Sequence, residues 1–172
     1  MDYALTAIAA GALLWAVVIY NRLVRDRNRV AAGWSDIDVQ LKRRHDLIPK
    51  LVAAVQQYAS YESSTIAAIT ELRKEAGARE GVERARMEGD ISRGLQRLIA
   101  LAEAYPELQA SENFLSLQRD ISAVENDIQY SRRYYNGAVR NLNTRIESFP
   151  DLVLARLFAF RPRDYFELET PS

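Results

Sequence analysis

The sequence predicts an all-α protein in which a single amino-terminal transmembrane helix is followed by a bundle of long helices. Helix-favouring residues dominate the 172-residue chain, which has seven glycines and no cysteine. An apolar run opens the chain, and apolar residues then recur at spacings of three and four over two long stretches. These patterns place one helix in lipid and the others in a packed bundle.

Residues 3–20 form an apolar run of about eighteen residues without a formal charge. At ~1.5 Å per residue this run approaches the ~30 Å hydrocarbon core of a bilayer, and Trp15 and Tyr20 suit its interface. A secretory signal peptide is the alternative. It needs a basic segment before the run and a small-residue cleavage site, whereas this chain opens with Met1 and Asp2. We therefore predict an uncleaved anchor over residues 1–21.

Charged residues on the two sides of the run predict its orientation. Asp2 is the only charged side chain before the run, and Asp26 is the only acidic residue in the arginine-rich segment that follows. The arginines of that segment are Arg22, Arg25, Arg27 and Arg29. By the positive-inside rule, the amino terminus faces out and the bulk of the chain lies in the cytoplasm, with these arginines near anionic lipid headgroups. No second run is long enough, so a single pass is predicted.

The segment after the anchor carries one apolar stripe, which predicts a long amphipathic helix. At about 100° per residue the following residues share one face: Val30, Trp34, Ile37, Leu41, His45, Ile48, Val52, Val55 and Ala59. Leu23 is in phase with them, so the membrane helix is expected to continue into this one without a hinge. Pro49 should kink the helix without reversing the chain, because the stripe keeps its phase on both sides, and the helix is expected to end near Glu75.

Acidic and basic residues crowd together between Trp34 and Pro49, but on a helix they point in different directions. Asp38 and Arg44 border the stripe on opposite edges, where they are predicted to form hydrogen bonds to other helices. His45 lies on the stripe and is predicted to be a partly buried packing residue; metal ligation and general-base catalysis are the alternatives. The chain lacks a second histidine, a Gly-rich phosphate loop, a nucleophile elbow and an HExxH motif. We predict no catalytic residue, no metal site and no cofactor.

Two further helices are predicted after a glycine-containing connection. Residues 77–89 combine three glycines with a mixed charge run, so they are predicted to be a mobile connection, with Asp90 capping the next helix. That helix should end at Pro106, and Ser111 should cap a second, longer helix. The longer helix has a heptad-like apolar seam made of Phe114, Leu117, Ile121, Val124, Ile128, Tyr135, Val139, Leu142, Ile146 and Phe149. A seam of this length requires long helical partners.

A polar strip lies beside this seam on the same helix, and its charged members need partners if the strip faces another helix. We predict an interhelical hydrogen-bonding network made of Asp38, Arg44, Glu125, Arg132 and Asn136. A ligand cleft between the helices is the alternative use of the same residues.

The carboxyl-terminal residues 151–172 are predicted to form a separate apolar element, because Pro150 ends the long helix. The large apolar side chains of this element are too many to leave in water. They form a candidate interaction surface made of Leu152, Leu157, Phe158, Phe160 and Phe166. We expect them to fold back onto the bundle; contact with a neighbouring subunit or with the membrane surface is the alternative.

Several long motifs occur in an order that resembles the LemA family. They are YNRLV, WSDIDVQLKRRHDLIPKLV, LAEAYPEL followed by NF, ENDIQYSRRYYNGAV, and a closing FP, LFAF and YFE, and together they extend over residues 20–167. The resemblance implies an amino-terminal membrane helix and a cytoplasmic bundle of four helices in up-and-down arrangement. It implies no established enzymatic activity, and some branches of the family are associated with the formation of internal membrane compartments.

Three positions depart from the family pattern. This chain has Gly33 where the family usually has alanine, and Lys50 where the family usually has asparagine after the proline. It has Tyr61 where the family commonly has histidine before the glutamate. The missing histidine weakens any metal site at that position, and Gly33 is expected to soften the helix near the membrane. The motif residues that the resemblance carries over are Trp34, Asp36, Asp38, Arg44, Asp46, Glu125, Arg132 and Asn136.

Equal numbers of basic and acidic residues, 23 of each, argue against a nucleic-acid partner. We predict a non-catalytic, membrane-anchored helical scaffold or adaptor at the bacterial inner (cytoplasmic) membrane, with membrane lipid, partner proteins or copies of itself as partners. Its expected domains are the anchor at 1–21, the cytoplasmic bundle at 22–150 and the apolar element at 151–172. The alternatives are a sensor that binds a ligand or a metal in the polar cleft, and a protein that organises or remodels the bilayer.

Overall fold

The computed structural model describes residues 2–58, 63–79 and 81–166, and every regular element in these ranges is helical. The predicted all-α fold class is confirmed. In chain order the elements are α1 (Asp2–Gln56), α2 (Ser63–Gly77), α3 (Gly81–Leu101), a 3-10 turn (Ala102–Ala104), α4 (Pro106–Gln109), α5 (Glu112–Glu147) and α6 (Asp151–Leu157).

The chain forms two compact units, and α1 and α5 each contribute to both. The first unit contains residues 1–35 and 133–165, which hold the beginning of α1, the end of α5, and α6. Among the described residues, the second unit contains 36–58, 63–79, 81–132 and Phe166, which include the rest of α1, helices α2 to α4 and the beginning of α5. Four long helical segments therefore belong to the second unit.

The second unit is built on the apolar stripe of α1. The stripe residues of α1 that are at most 1% exposed there are Ile37, Leu41, Ile48 and Val55. Apolar side chains of the other three helices are also buried: Ile69 of α2, Ile91, Leu95 and Leu98 of α3, and Ile121 and Val124 of α5. Because burial of each large apolar side chain contributes about 1.5–3 kcal/mol, these matched stripes hold the unit together.

The chain reverses between α1 and α2, so the expectation that the first helix continues to about Glu75 is wrong. α1 ends at Gln56, and the Nε atom of Arg73 in α2 donates to the backbone carbonyl of His45 in α1 at 2.8 Å. Apolar residues resume at helical spacing in α2, beginning with the buried Ile66. Because apolar residues keep helical spacing on both sides of the reversal, the sequence pattern does not reveal where α1 ends.

α1 itself is unbroken where two interruptions were expected to weaken it. Pro49 lies inside the helix, so the chain does not reverse there, as predicted. Gly33 also lies inside the helix, where a Cβ atom would be 3.2 Å from the Cα atom of Tyr135 in α5. The glycine thus allows α1 and α5 to approach closely within the first unit. Ala59 of the predicted stripe and Tyr61 lie outside the described residues.

The segment predicted to be a mobile connection is mostly helical. α3 begins at Gly81, so Asp90 lies well inside the helix and does not cap it, which corrects both expectations. Ala85 and Glu88 are each 1% exposed and extend the buried face of α3 towards its start. The glycines and mixed charges of this stretch conceal the first two turns of α3 in the sequence.

α5 follows the prediction closely, except at its end. The Ser111 hydroxyl accepts a hydrogen bond from the backbone N–H of Phe114 at 3.4 Å, the geometry of an N-cap. The apolar seam of α5 is buried from Phe114 to Ile146. Phe149 is 82% exposed instead, because α5 ends at Glu147 and this residue lies in the turn before α6.

The first unit begins with an apolar segment that the protein itself leaves exposed. Within the described residues, α1 is the one helix long and apolar enough to cross a membrane; its most apolar 18-residue window has a mean hydropathy of 1.9 and is 6% buried. Burial begins at the end of this segment with Ile19 and Leu23. Farther along the helix, the Trp34 ring packs edge-on against Tyr135 of α5 at 5.5 Å between centroids.

Candidate functional site: a buried arginine in the second unit

Arg44 and Glu88 lie at the centre of a buried polar group that joins three helices of the second unit. Both side chains are 1% exposed, although neither residue type is usually buried. Arg44 extends from the edge of the apolar stripe of α1, and Glu88 faces it from α3. We call this group the Arg44 cluster; its members are Arg44, His45, Glu88, Ser92 and Glu125.

The two terminal nitrogens of Arg44 are engaged by α3 and α5. Nη1 donates to the Ser92 hydroxyl at 2.5 Å and to Glu125 Oε1 at 2.6 Å. Nη2 donates to the Glu88 carboxylate and to the Glu88 backbone carbonyl, the latter at 3.0 Å. The Ser92 hydroxyl also lies 3.0 Å from Glu125 Oε2. A buried guanidinium is costly unless it is paired and hydrogen-bonded, and these contacts satisfy both terminal nitrogens. The third nitrogen, Nε, is buried without a hydrogen-bond partner among the described residues.

His45 adds a further contact to the same carboxylate. Its Nε2 atom lies 3.0 Å from Glu88 Oε1 and 3.2 Å from Glu88 Oε2, and its side chain is 15% exposed. Burial by itself raises the pKa of Glu88, but the hydrogen bond from His45 and the positive charge of Arg44 outweigh it, so the pKa lies below 4.5. Glu88 is therefore ionised at neutral pH and balances the charge of Arg44.

Asp38 does not take part in the Arg44 cluster. Its carboxylate is about half exposed and accepts from Arg84 of α3 at 2.7 Å. The separation has a simple cause, since Asp38 and Arg44 lie on opposite edges of the stripe of α1. Asp38 and Arg44 of α1 were both predicted to contact α5, but they differ in solvent exposure. Arg44 is buried, whereas Asp38 forms a salt bridge near the surface.

The remaining predicted site residues are Arg132 and Asn136. Arg132 of α5 is half-buried; Nη1 donates to Gln129 at 3.3 Å, and its guanidinium lies 5.3 Å from the ring centroid of Phe166. Burial lowers the pKa of Arg132, with the charge of Glu125 opposing this shift. Asn136 is half-buried and belongs to the first unit.

Sequence reasoning missed Glu88 and Ser92, which provide most of the partners of Arg44. Glu88 lies in the segment 77–89 that was predicted to be a mobile connection, and Ser92 is absent from the predicted polar network. The sequence does contain a signal for both residues. The apolar face of α3 can be extended towards its amino terminus at helical spacing, through Leu95, Ser92, Glu88 and Ala85. A glutamate on a buried face, opposite an arginine on another buried face, is the pattern of an interhelical ion pair.

A second buried carboxylate lies in the first unit and was also missed. Asp26 of α1 is 5% exposed and accepts from Arg145 Nε of α5 at 2.7 Å. Arg145 Nη1 donates to Asp151 of α6 at 2.9 Å. The hydrogen bond from Arg145 to Asp26 is the main cause of a raised pKa at Arg145. One arginine therefore joins α1, α5 and α6.

The candidate interaction surface of the carboxyl-terminal element is partly exposed. Leu157 is 72% and Phe158 is 52% exposed, whereas Leu152 and Phe160 are half-buried. Phe166 is 2% exposed, so it is a core residue and not part of an exposed surface. A large aromatic ring is unfavourable in water, and this was the reason for including Phe166 in the candidate surface. The protein removes the ring from water itself, by burying it beside Arg132.

The Arg44 cluster is suited to fixing helices relative to one another. A paired, hydrogen-bonded guanidinium accepts few alternative arrangements of α1, α3 and α5, because each shift would leave a buried charge without a partner. Among the residues that the structure describes, no three His, Cys, Asp or Glu side chains are grouped so as to hold a metal ion.

The fold and the cluster define an all-helical protein with an exposed apolar amino-terminal segment and a buried, charge-compensated arginine. The chain belongs to the LemA family, whose sequence model matches residues 33–172. The resemblance seen in its motifs is thereby confirmed.

Three relatives extend this comparison. Protein LemA of Metamycoplasma hominis is 29% identical over 133 residues, which cover 75% of this chain and 60% of that protein. Magnetosome protein MamQ 2 of Paramagnetospirillum magneticum and magnetosome protein MamQ of Magnetospirillum gryphiswaldense are each 24% identical over 180 residues, which cover 89% of this chain and 66% of each relative. The chain thus spans about three fifths to two thirds of the length of these relatives.

Proposed function

We propose that this protein is a membrane-anchored helical scaffold, which presents its helical surface to partner proteins or to copies of itself and performs no chemistry of its own. The observation that carries the proposal is the exposed apolar segment at the start of α1, whose 18-residue window is 6% buried. A segment of this length and hydropathy is stable in lipid and unfavourable in water. The same helix continues, without a break, into the folded units.

The proposed location is the bacterial inner membrane, with the amino terminus outside and the helical units in the cytoplasm. This orientation is supported by the arginines that directly follow the apolar segment, beginning with Arg22 and Arg25. Both side chains are exposed, as expected for arginines at the cytoplasmic edge of a membrane helix.

Two features of the second unit support a scaffold over a sensor. In the Arg44 cluster, carboxylates of the protein bind both terminal nitrogens of the arginine, which favours a fixed arrangement of helices over a cleft that awaits a ligand. Large apolar and aromatic side chains also remain on the surface of this unit, where Val39 is 58% and Tyr130 is 65% exposed. Such residues are frequent contact points in protein interfaces.

In-cell photo-crosslinking tests the proposal. A photoreactive amino acid is placed at Val39 or at Tyr130, and at the exposed Gln96 of α3 as a matched polar control. The scaffold proposal predicts a discrete crosslinked product from at least one of the two apolar positions and none from Gln96. It is contradicted if the protein is folded and in the membrane fraction but gives no product from either position.

A second candidate function is the organisation of the bilayer itself. Relatives named magnetosome proteins cover 89% of this chain, and the exposed Leu157 and Phe158 provide apolar surface outside the anchor. Full-length protein reconstituted into liposomes would then change vesicle shape, and Leu157→Asp with Phe158→Asp would reduce the effect. Vesicles that keep their shape at high protein density contradict this candidate.

A further inference from the structure

A basic pocket is formed in the first unit by the segment that follows α6. Three arginines line a cavity of about 300 Å³, with aromatic and aliphatic walls between them. The arginines are Arg27 of α1 and Arg161 and Arg163 of the carboxyl-terminal segment, and the walls include Phe158, Phe160 and Leu142. Among the described residues, no carboxylate forms a salt bridge with any of these three guanidinium groups.

The end of α6 turns the chain back to form this pocket. The backbone N–H of Phe160 donates to the carbonyl of Ala155 at 2.9 Å, and that of Ala159 donates to Arg156 at 3.2 Å. These two bonds are the Schellman motif of a helix end, with Ala159 in the left-handed conformation at φ 54°. The turn brings Phe160 onto α1, where Arg27 lies 5.6 Å from its ring centroid.

The segment after the turn is fixed by side chains of α5. The Asn143 side chain donates to the backbone carbonyl of Arg163 and accepts from its N–H, each at 2.9 Å. The Tyr135 hydroxyl donates to the backbone carbonyl of Asp164 at 3.0 Å. The backbone is therefore held in place, while the side chains of Arg161 and Arg163 remain exposed. Such a preorganised arrangement lowers the entropic cost of binding an anion.

The pocket lies at the level where the apolar segment of α1 ends. The Phe158 ring lies 4.8 Å from the ring of Tyr20, the last residue of the uncharged run, and Phe160 lies 6.0 Å from the same ring. Arg27 follows Tyr20 by about 10 Å along the helix, and the headgroup layer of one leaflet is roughly 5–8 Å thick. Long arginine side chains reach back over such a distance to the interface.

We propose that this pocket binds the phosphate of an anionic phospholipid headgroup, with Arg27, Arg161 and Arg163 as its ligands and the exposed Leu157 and Phe158 resting in the interfacial layer. Guanidinium groups bind phosphate through paired hydrogen bonds, and aromatic rings favour the membrane interface. The aromatic walls and the adjoining apolar segment favour a lipid over a free anion. The assignment rests on the proposed membrane anchoring of α1.

Native mass spectrometry of the full-length protein in detergent tests this assignment. The protein is mixed with equal amounts of phosphatidylglycerol and phosphatidylcholine of identical acyl chains, and the enrichment of the anionic lipid in the bound fraction is measured. The wild type is expected to be enriched in phosphatidylglycerol. Arg161→Glu is expected to lower this enrichment about fivefold or more, because it replaces a charge-assisted hydrogen bond to the phosphate with a carboxylate that repels it.

Two matched variants separate a pocket from general electrostatic attraction. Arg161→Lys keeps the charge but cannot donate paired hydrogen bonds to a phosphate, so it should lose part of the enrichment, whereas general electrostatic attraction would leave the enrichment unchanged. Arg140→Glu reverses the charge of an exposed arginine of α5 that does not line the pocket, and it should lower the enrichment less than twofold. An equal loss from Arg140→Glu and Arg161→Glu, with both proteins melting at the wild-type temperature, overturns the proposal.

Two further measurements distinguish the source of the anion and the role of the anchor. If inorganic phosphate at the concentration of the lipid displaces phosphatidylglycerol, the pocket binds free anions and the assignment is overturned. Resistance to carbonate extraction from cell membranes is measured for the same proteins. Wild-type protein that resists extraction but shows no enrichment contradicts the pocket alone, whereas protein that is extracted contradicts the anchoring as well.

Discussion

The guanidinium of Arg44 and the carboxylate of Glu88 form an ion pair in which each side chain is 1% exposed. Glu125 and Ser92 take the second terminal nitrogen of the arginine, so the charge of α1 is held by α3 and α5 together. Such a pair adds less to stability than its short contacts suggest, because both charges lose their hydration. We expect its stronger effect to be on specificity, since an incorrect helix arrangement would leave a charge buried alone.

Removal of one partner of this ion pair should strongly lower the free energy of unfolding. Glu88→Leu leaves the Arg44 guanidinium buried without its main counter-charge, which is expected to cost about 3–5 kcal/mol. Thermal unfolding of the full chain in detergent, followed by circular dichroism, measures the loss. Glu83→Leu on the exposed face of α3 is the matched control and should change stability by less than about 0.5 kcal/mol. Equal effects of the two variants would show that the Glu88 contact does not stabilise the fold.

Stability should depend on acidic pH through Glu88. Because its pKa in the folded protein lies below the ordinary value of 4.5, its contribution is present above about pH 4.5 and is lost as the pH falls through the folded-state value. Melting temperatures of the wild type and of Glu88→Gln are compared at several pH values from 7 downwards. The advantage of the wild type should shrink below about pH 4.5. An advantage that stays constant or grows on acidification contradicts the assigned role.

Two glycines should respond oppositely to alanine. At Gly94 of α3 a Cβ atom would lie 2.8 Å from Cγ1 of Ile69 in α2, whose side chain is 1% exposed. Gly94→Ala is therefore expected to destabilise by about 1 kcal/mol, the steric cost exceeding the gain in helix propensity. Gly137→Ala in α5, where nothing lies within 4 Å, should stabilise by about 0.5–1 kcal/mol. Urea unfolding measures both, and a gain in both variants would contradict the close packing of α2 on α3.

Glycine at position 159 should give a more stable protein than the native alanine. Its φ of 54° is a left-handed conformation that glycine adopts without a Cβ clash. Ala159→Gly is expected to stabilise by about 0.5 kcal/mol, because the relief of strain is partly offset by the greater freedom of the unfolded chain. Ala159→Val should destabilise, since a β-branched residue is disfavoured in this conformation. The melting temperatures of the two variants are compared, and the reverse order would contradict the turn that ends α6.

The long helices were predictable because their apolar residues repeat over many turns. The stripe of α1 and the seam of α5 are buried nearly as expected, and the Ser111 cap marks the start of α5. Boundaries were less predictable. The reversal after Gln56 leaves the apolar spacing intact, and the start of α3 at Gly81 is concealed by charged residues. The spacing of apolar residues predicts which face of a helix is buried. Where a helix begins within a charged segment, as α3 does, depends on tertiary packing.

The candidate site was predictable only in part, for a related reason. Arg44 and Glu125 were identified as interhelical groups, and they are joined in the second unit. Glu88 was not identified, because the glycines and mixed charges around it favoured a connection over the first turns of a helix. Asp38 and Arg44 are six residues apart and diverge on the helix, so their different partners follow from helical geometry.

The most direct test of the account is the topology of the full-length protein in living cells. The chain has no cysteine, so Asp2→Cys and Ser116→Cys each provide one thiol for a membrane-impermeant maleimide. Asp2→Cys should be labelled in cells with a permeabilised outer envelope but an intact inner membrane, and Ser116→Cys only after the inner membrane is lysed. Labelling of Ser116→Cys before lysis, or recovery of either variant in the soluble fraction, would contradict a membrane-anchored scaffold whose helical units lie in the cytoplasm.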